Sequence, residues 1–330
     1  MITNKRVWIG FVAALLLVLA WASYRFFHVR DIGDIQSIPV ILSKTSNDPY
    51  MLYRRGLEQA AKDYRMKLSF VYADNKLSAL KRALKKETAG IILEPDLDKK
   101  LPQMMEEHAM TTRFMLLDSD VEPEGIFPLT AADNRRISVS LMDLIQSDFG
   151  EQNLSLDGKR VGLVYFNGKE LAVQQRRDKF VNQMDKMGML LAIEIRSQSR
   201  MEDKLRSMFS FGGLDLLVAL DNPSTEACAH LLNATQPEEI VPLYGEGYSE
   251  AVVYFLDKGV VNGLVLPNEF QIGYQAVEQL RQLTNADTRR LQTLFNADSH
   301  QPEKETIDIF KVKKENMFDS EFEKIVFPMP

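Results

Sequence analysis

The sequence predicts an α/β protein of two doubly wound, parallel-sheet lobes, preceded by one N-terminal transmembrane helix. Three observations carry this reading. From Ile38 onward short apolar runs alternate with stretches of helical spacing, the alternation is interrupted near 127–134 and restarts at Gly158, and Val7 to Tyr24 is an uncharged run of 18 residues. A length of 330 residues also suits about two domains, each burying its own core.

The uncharged run comes first. As a helix it would extend about 27 Å, close to the roughly 30 Å of a bilayer core. Lys5 and Arg6 precede it, and Trp8, Trp21 and Tyr24 lie near its ends, where amphipathic rings prefer the headgroup zone. Ala20-Trp21-Ala22 has the small-x-small form of a signal-peptide cleavage site, but Tyr24-Arg25-Phe26-Phe27 follows without a break, which favours a retained anchor. Residues 1–30 are therefore assigned to the anchor and its flanks and 31–36 to a linker. Long C-terminal domains translocate largely regardless of flanking charge, so the globular part is expected outside the membrane.

Candidate strands follow at 38–43, 67–73, 89–94, 114–118, 160–166, 190–196, 214–220, 240–244 and 261–266, and Glu305 to Lys313 reads as one more. Between the first two, Tyr50, Tyr53, Leu57, Ala60, Ala61 and Tyr64 recur at helical spacing, and Leu77, Leu80 and Leu84 do so after the second. Strand, helix, strand in this order implies right-handed crossovers and parallel sheets covered on both faces. Ile91-Ile92-Leu93 and Leu216-Leu217-Val218 are apolar throughout, as strands buried on both faces should be.

Composition removes several function classes. The net charge is −6 with no long basic block, which argues against nucleic acid as a partner. Four scattered histidines (His28, His108, His230, His300) and a single cysteine, Cys228, give no metal-ligand spacing, and Cys228 reads as a small core residue beside Ala227, Leu231 and Leu232. Gly245-Glu246-Gly247 lacks the third glycine of a dinucleotide loop, and no P-loop, nucleophile elbow or kinase motif is present. No cofactor and no catalysis are expected.

Ligands of open α/β sheets bind beyond the carboxyl ends of the strands, so the residues after each apolar run are the binding candidates. They are Asp118, Phe166 with Asn167, Asp221 with Asn222, Gly245-Glu246-Gly247, and Pro267 with Asn268. A hydroxyl-rich ligand suits such a set: carboxylate and guanidinium form the strong charge-assisted bonds, and aromatic faces cover apolar C–H patches. The same residues also have plain structural readings. Asp221, Asp118, Asp48 and Asn47 can each simply cap the next helix, Tyr50 fits a core position by spacing, and the basic helix at 174–186 fits a solvated face.

The run Ile38 to Ser43, followed by Asn47-Asp48-Pro49-Tyr50 and an amphipathic helix, resembles the opening of ribose/galactose-type sugar-binding proteins of the type I periplasmic-binding fold, and the resemblance extends over 38–326. It implies a hinge of three crossings, near 131–134, 267–270 and 309–313. The lobes are then discontinuous: 37–132 plus 268–310, and 133–267 plus 311–330. It also implies that Asn47 and Tyr50 bring an amide and a ring to the ligand, that Asp118 accepts bonds from sugar hydroxyls, and that Arg176 forks onto sugar oxygens, with Arg177 offering the alternative register. Asp221 stands where the family has asparagine, Glu246 lies near its aspartate, and Pro267 takes the place of its glutamine, with Asn268 beside it. Phe166 supplies an aromatic face.

Tyr244 to Gly247, Tyr254 to Gly259 and Pro267 to Tyr274 are similar to Gram-positive sugar-binding proteins that work beside sensor histidine kinases. The implied task is to report a pentose or hexose to such a kinase; the alternative is delivery of sugar to an ABC permease. A repressor of the lactose-repressor type shares these lobes but needs a helix-turn-helix where residues 7–24 stand.

Overall fold

The computed structural model describes residues 37–43, 50–86, 88, 90–94, 98, 100–117, 127–166, 171–210, 213–235, 241–285 and 307–319. The expected membrane segment at 7–24 lies outside them, and no described helix is long and apolar enough to cross a membrane.

The first sheet holds β1 (Ile38–Leu42), β2 (Leu68–Tyr72), β3 (Gly90–Leu93), β4 (Arg113–Leu117) and the two-residue β5 (Leu129–Thr130), in the order β2-β1-β3-β4-β5, all parallel. The second holds β6 (Arg160–Val164), β7 (Leu190–Ile195), β8 (Leu216–Ala219), β9 (Leu243–Glu246), β10 (Gly263–Pro267) and β11 (Ile309–Val312). Its order is β7-β6-β8-β9-β10-β11, with only β11 antiparallel. The first five strands of each sheet thus share one doubly wound order. Interior strands β1, β3, β8 and β10 are buried at every residue, whereas the edge strands β2 and β7 are half exposed.

Nine described helices cover the sheets. They are α1 (Tyr50–Asp63), α2 (Lys76–Ala83), α3 (Lys100–His108), α4 (Asn134–Glu151), α5 (Leu171–Lys186), α6 (Met201–Ser210), α7 (Asn222–Thr235), α8 (Glu250–Asp257) and α9 (Glu269–Asn285). Helices α2 and α3 cover one face of the first sheet, burying Leu80, Leu101 and Met105 against Ile91 and Leu93. Helices α6, α7 and α8 cover one face of the second, with Leu205, Cys228 and Leu256 against Leu217 and Ala219. The remaining faces share one continuous cluster that runs from Val40, Leu57 and Ile272 through Ala132 to Leu141, Phe180 and Val218.

Two helices lie on the opposite sheet from the strand they follow. Helix α4 leaves β5 yet packs against α5 and β9 to β11, so the chain crosses at 131–133. Helix α9 leaves β10 yet packs against α1 and β3 to β5, so it crosses back at Asn268. Asp133 makes the first crossing abrupt by capping α4, its Oδ1 accepting from the amides of Arg135 (2.9 Å) and Arg136 (3.2 Å). The chain is back at the second sheet by Ile307. There Arg136 Nη1 donates to the Ile307 carbonyl (3.5 Å), the Asn268 amide donates to the Asp308 carbonyl (2.9 Å), and the Asp308 amide donates to Gln271 Oε1 (2.9 Å). The crossing segments are therefore hydrogen-bonded to one another.

Three expectations need correction. Residues 309–313 were expected as the third crossing, with 309 and 310 in the first lobe. Instead Ile309 and Phe310 pair with Pro267 and Leu266 in the second sheet. Strand periodicity shows that a segment is extended and not which sheet accepts its backbone hydrogen bonds. Second, β5 lies inside the interruption at 127–134; two residues are too short to show alternation, and Pro128 takes part by accepting from the Leu116 amide at 2.9 Å. Third, strand β9 runs to Glu246, two residues beyond the expected end, so Glu246 belongs to the strand rather than to the turn after it.

The contact of α1 with α9 depends on two glycines. A Cβ at Gly56 would lie 2.0 Å from the Phe270 carbonyl oxygen, and one at Gly273 would lie 2.2 Å from that of Tyr53. Backbone meets backbone there and neither helix can yield. Gly273→Ala is expected to destabilise the protein by about 2 kcal/mol or more, as overpacking does. Gly150→Ala, where nothing lies within 4 Å of the new Cβ, is expected to be neutral or stabilising by about 0.5 kcal/mol. Urea unfolding midpoints of the two variants check the contrast.

Candidate functional site

Both β5 and β10 run from their carboxyl ends directly into crossings, so the carboxyl edges of the two sheets adjoin the same hinge. A strand buried on both faces has little place for a charged side chain before its last residue, and the polar residues at and just beyond the carboxyl ends, Glu246 at the end of β9 among them, collect along these edges.

On the second sheet the structure brings four of the expected residues together. Arg176, on α5, places Nη1 3.0 Å from Glu246 Oε2 and 3.0 Å from the Leu220 carbonyl, while its Nε donates to Asn134 Oδ1 at 2.9 Å. Its own carbonyl accepts from Ser138 Oγ at 2.7 Å. One guanidinium thus joins the ends of β8 and β9 to the first residue of α4, just past the first crossing. Side-chain exposure is 14% for Arg176 and 9% for Glu246, so the pair is largely shielded from water. The Glu246 carbonyl is held in turn by Thr225 Oγ1 at 2.6 Å.

Asp221 is buried and built into its loop. Its Oδ1 accepts from the Ser224 amide (2.9 Å) at the start of α7, and its Oδ2 accepts from the Phe166 amide (2.8 Å) beyond β6. It combines a capping role with a bridge between two strand ends. Phe166 is half-buried and packs on the second-lobe core. Asn268 stands apart from this group: its Oδ1 accepts from the Gln271 amide at 3.0 Å, capping α9 at the second crossing. Tyr50 is the first residue of α1. Asn47 and Asp118 lie outside the described residues.

The adjacent arginines diverge. Arg177 turns to β7, donating from Nε to Glu194 Oε1 (2.9 Å) and from Nη2 to Oε2 (3.3 Å). Arg196 donates to Oε2 (3.0 Å) and Tyr165 Oη donates to Oε1 (2.7 Å). Arg176 is therefore the arginine at the hinge and Arg177 the one that anchors the sheet edge.

Sequence reasoning missed a matching cluster on the first sheet. Glu94, directly after β3, accepts from the Ser43 amide at Oε2 and from Ser43 Oγ at Oε1, both 2.8 Å, and Lys76 Nζ lies 3.3 Å from Oε1. The Lys76 side chain is 6% exposed. The signal was available, since Ser43 and Glu94 are the residues that follow β1 and β3. Tyr248 and Glu269 were also missed; Tyr248 Oη donates to Glu269 Oε2 at 2.7 Å, linking the turn after β9 to the first residue of α9 across the second crossing. Chemically, both edges offer carboxylate, cation and hydroxyl groups suited to hydrogen-bonding a polyol. Among the described residues no cluster of His, Cys, Asp and Glu is arranged to hold a metal ion.

A family model described as a periplasmic binding protein domain matches residues 38–288. Solved structures of similar fold include a carbohydrate transporter solute-binding protein of Agrobacterium radiobacter in complex with D-arabinose, 16% identical, with a TM-score of 0.70 over 89% of this chain and 99% of that one. GanP, a glucose-galactose binding protein of Geobacillus stearothermophilus, is 14% identical with a TM-score of 0.67, over 86% and 99% of the two chains. XylFII is 17% identical with a TM-score of 0.62, over 84% and 99% of the two chains, and a chain of the XylFII-LytSN complex is also similar, at 16% identity and a TM-score of 0.63 over 84% and 98%. At these identities the likeness shows the fold. No curated protein matches the sequence significantly.

The Glu194 cluster has a defined pH dependence. Burial disfavours its carboxylate, but donors from Arg177, Arg196 and Tyr165 outweigh that and bring its pKa down from 4.5 to about 2. Burial and the bond to Glu194 push Tyr165 up to about 12. A carboxyl lowered in the folded state stabilises fully above its unfolded value and loses that contribution as pH falls through the folded one. Glu194→Gln should therefore lower the urea midpoint at neutral pH. The gap to the parent should close as pH falls from 4.5 through about 2. A gap independent of pH would show that the ion cluster does not carry the effect.

Proposed function

Since the chain belongs to the periplasmic binding protein family, we propose that it binds a small neutral sugar, a pentose or hexose, between its two lobes. In this reading it is tethered to the outer face of the cell membrane through residues 7–24 and signals occupancy to a membrane sensor kinase. The family comprises binding proteins, and the chain is not an enzyme.

The observation that carries the binding reading is the Arg176–Glu246 pair at the carboxyl edge beside the hinge. A shielded cation and carboxylate that neutralise each other offer charge-assisted donors and acceptors with no net charge, which suits hydroxyls better than a charged ligand. Arg176, Glu246, Asp221, Phe166 and Asn268 would meet the sugar from the second lobe. Asn47, Tyr50 and Asp118, with Ser43 and Glu94, would meet it from the first. D-arabinose in the Agrobacterium radiobacter structure and the glucose-galactose specificity in the name of GanP support this ligand class.

Ligand that prefers the closed arrangement shifts the lobes toward closure by its differential affinity for that state. Tethering then favours a membrane partner by raising effective concentration. The likeness to XylFII, solved as a complex with LytSN, supports a partnered role. The likeness to a carbohydrate transporter solute-binding protein supports the second reading, delivery of sugar to an ABC permease.

A thermal-shift screen of the protein against pentoses, hexoses and inositols should show one or a few sugars raising the melting temperature. Asp118→Ala should weaken the best of them at least tenfold, about 1.4 kcal/mol. If no sugar shifts the parent, or if the variant binds every sugar as the parent does, this reading of the site is wrong.

Sensor and transporter roles separate in cells. Deleting the chain should abolish sugar-induced expression of an uptake operon yet leave uptake intact when that operon is expressed constitutively. Loss of uptake under constitutive expression would decide for transport.

A further inference from the structure

The chain enters the first lobe at the amino edge of its sheet, where the Ile38 amide donates to the Lys67 carbonyl at 2.7 Å. β1 lies between β2 and β3, so the turns before those two strands flank the point of entry. The segments that lead into them, 62–67 and 81–87, carry seven Lys and Arg against Asp63 and Glu87, in a chain whose net charge is −6. All seven basic side chains are exposed, among them Arg65 and Lys67 on one side of β1 and Lys85 and Lys86 on the other. This is the end of the lobe opposite the carboxyl edge and the hinge, so sugar recognition does not require these charges.

We propose that this basic end of the first lobe is a docking surface for anionic lipid headgroups, holding the first lobe against the membrane and directing the second away from it. The inference rests on the tether proposed above. Residues 25–36 span at most about 40 Å when extended, which keeps the lobe near the bilayer. Attraction of Lys and Arg to an anionic leaflet falls off within a Debye length, about 8 Å at physiological ionic strength, so the tether and the charged face act together. The first lobe is then the stationary half of the hinge, and closure moves the second.

The test uses the full chain in lipid nanodiscs. Cys228 is buried, so a fluorophore can be directed to Met110→Cys, an exposed position beside the start of β4, or to Leu154→Cys, an exposed turn before β6 at the far end of the second lobe. With acceptor-labelled lipid, energy transfer from position 110 should exceed that from 154 by about twofold or more in phosphatidylglycerol discs. It should fall in phosphatidylcholine discs, and at about 1 M salt, where the Debye length is about 3 Å. The triple variant Lys67→Glu, Lys85→Glu, Lys86→Glu should give the phosphatidylcholine value in both discs while keeping the parent's melting temperature and sugar response. Equal transfer from 110 and 154, or transfer at 110 indifferent to lipid charge in a chain that stays with the discs, overturns the proposal and leaves the basic end to a protein partner. A chain that does not stay with neutral discs at all overturns the tether as well.

Discussion

A parallel strand covered on both faces must stay apolar along its length, and that constraint organises this molecule. Polar chemistry is expelled to the strand ends, and β5 and β10 carry the chain from those ends directly into the hinge. The polar carboxyl edges of both sheets therefore lie beside the segments that cross between the lobes.

The charges gathered there are committed to partners within the protein. Arg176 serves Glu246, the Leu220 carbonyl and Asn134; Glu94 serves Ser43 and Lys76; Asp221 serves the Ser224 and Phe166 amides. Shielded charge is tolerated only when paired, since removing one member leaves the other desolvated at a cost of about 3–5 kcal/mol. Pairing also fixes the rotamers of these long side chains. Asn134 and Glu269, at the first positions of α4 and α9, tie these edges to the crossings through Arg176 and Tyr248.

The hinge depends on small details that composition hides. Asp133 ends the first crossing by capping α4, and Asn268 ends the second by capping α9. The third strand of chain is held to both through Ile307 and Asp308. Gly56 and Gly273 let α1 and α9 meet backbone to backbone, which fastens a helix made late in the chain to the lobe made first.

Much of this was legible before any coordinates. Apolar runs of four to six residues at helix-length intervals announce buried parallel strands, and eight of the eleven described strands fall within about two residues of the expected bounds. The polar residues after them mark where each strand leaves the sheet, and several of them, Asp221 and Asn268 among them, cap the helix that follows. What the tertiary structure decided is which distant groups meet. Whether Arg176 or Arg177 turns to the hinge follows from the helix rotation that packs Val173, Phe180 and Met184 into the core. That β11 joins the second sheet follows from hydrogen bonds to β10, and that Lys76 pairs with Glu94 follows from α2 lying beside β1. Local periodicity reports how one segment is buried. Partner choice between segments is set by long-range packing, and it leaves no periodic trace in the residues themselves.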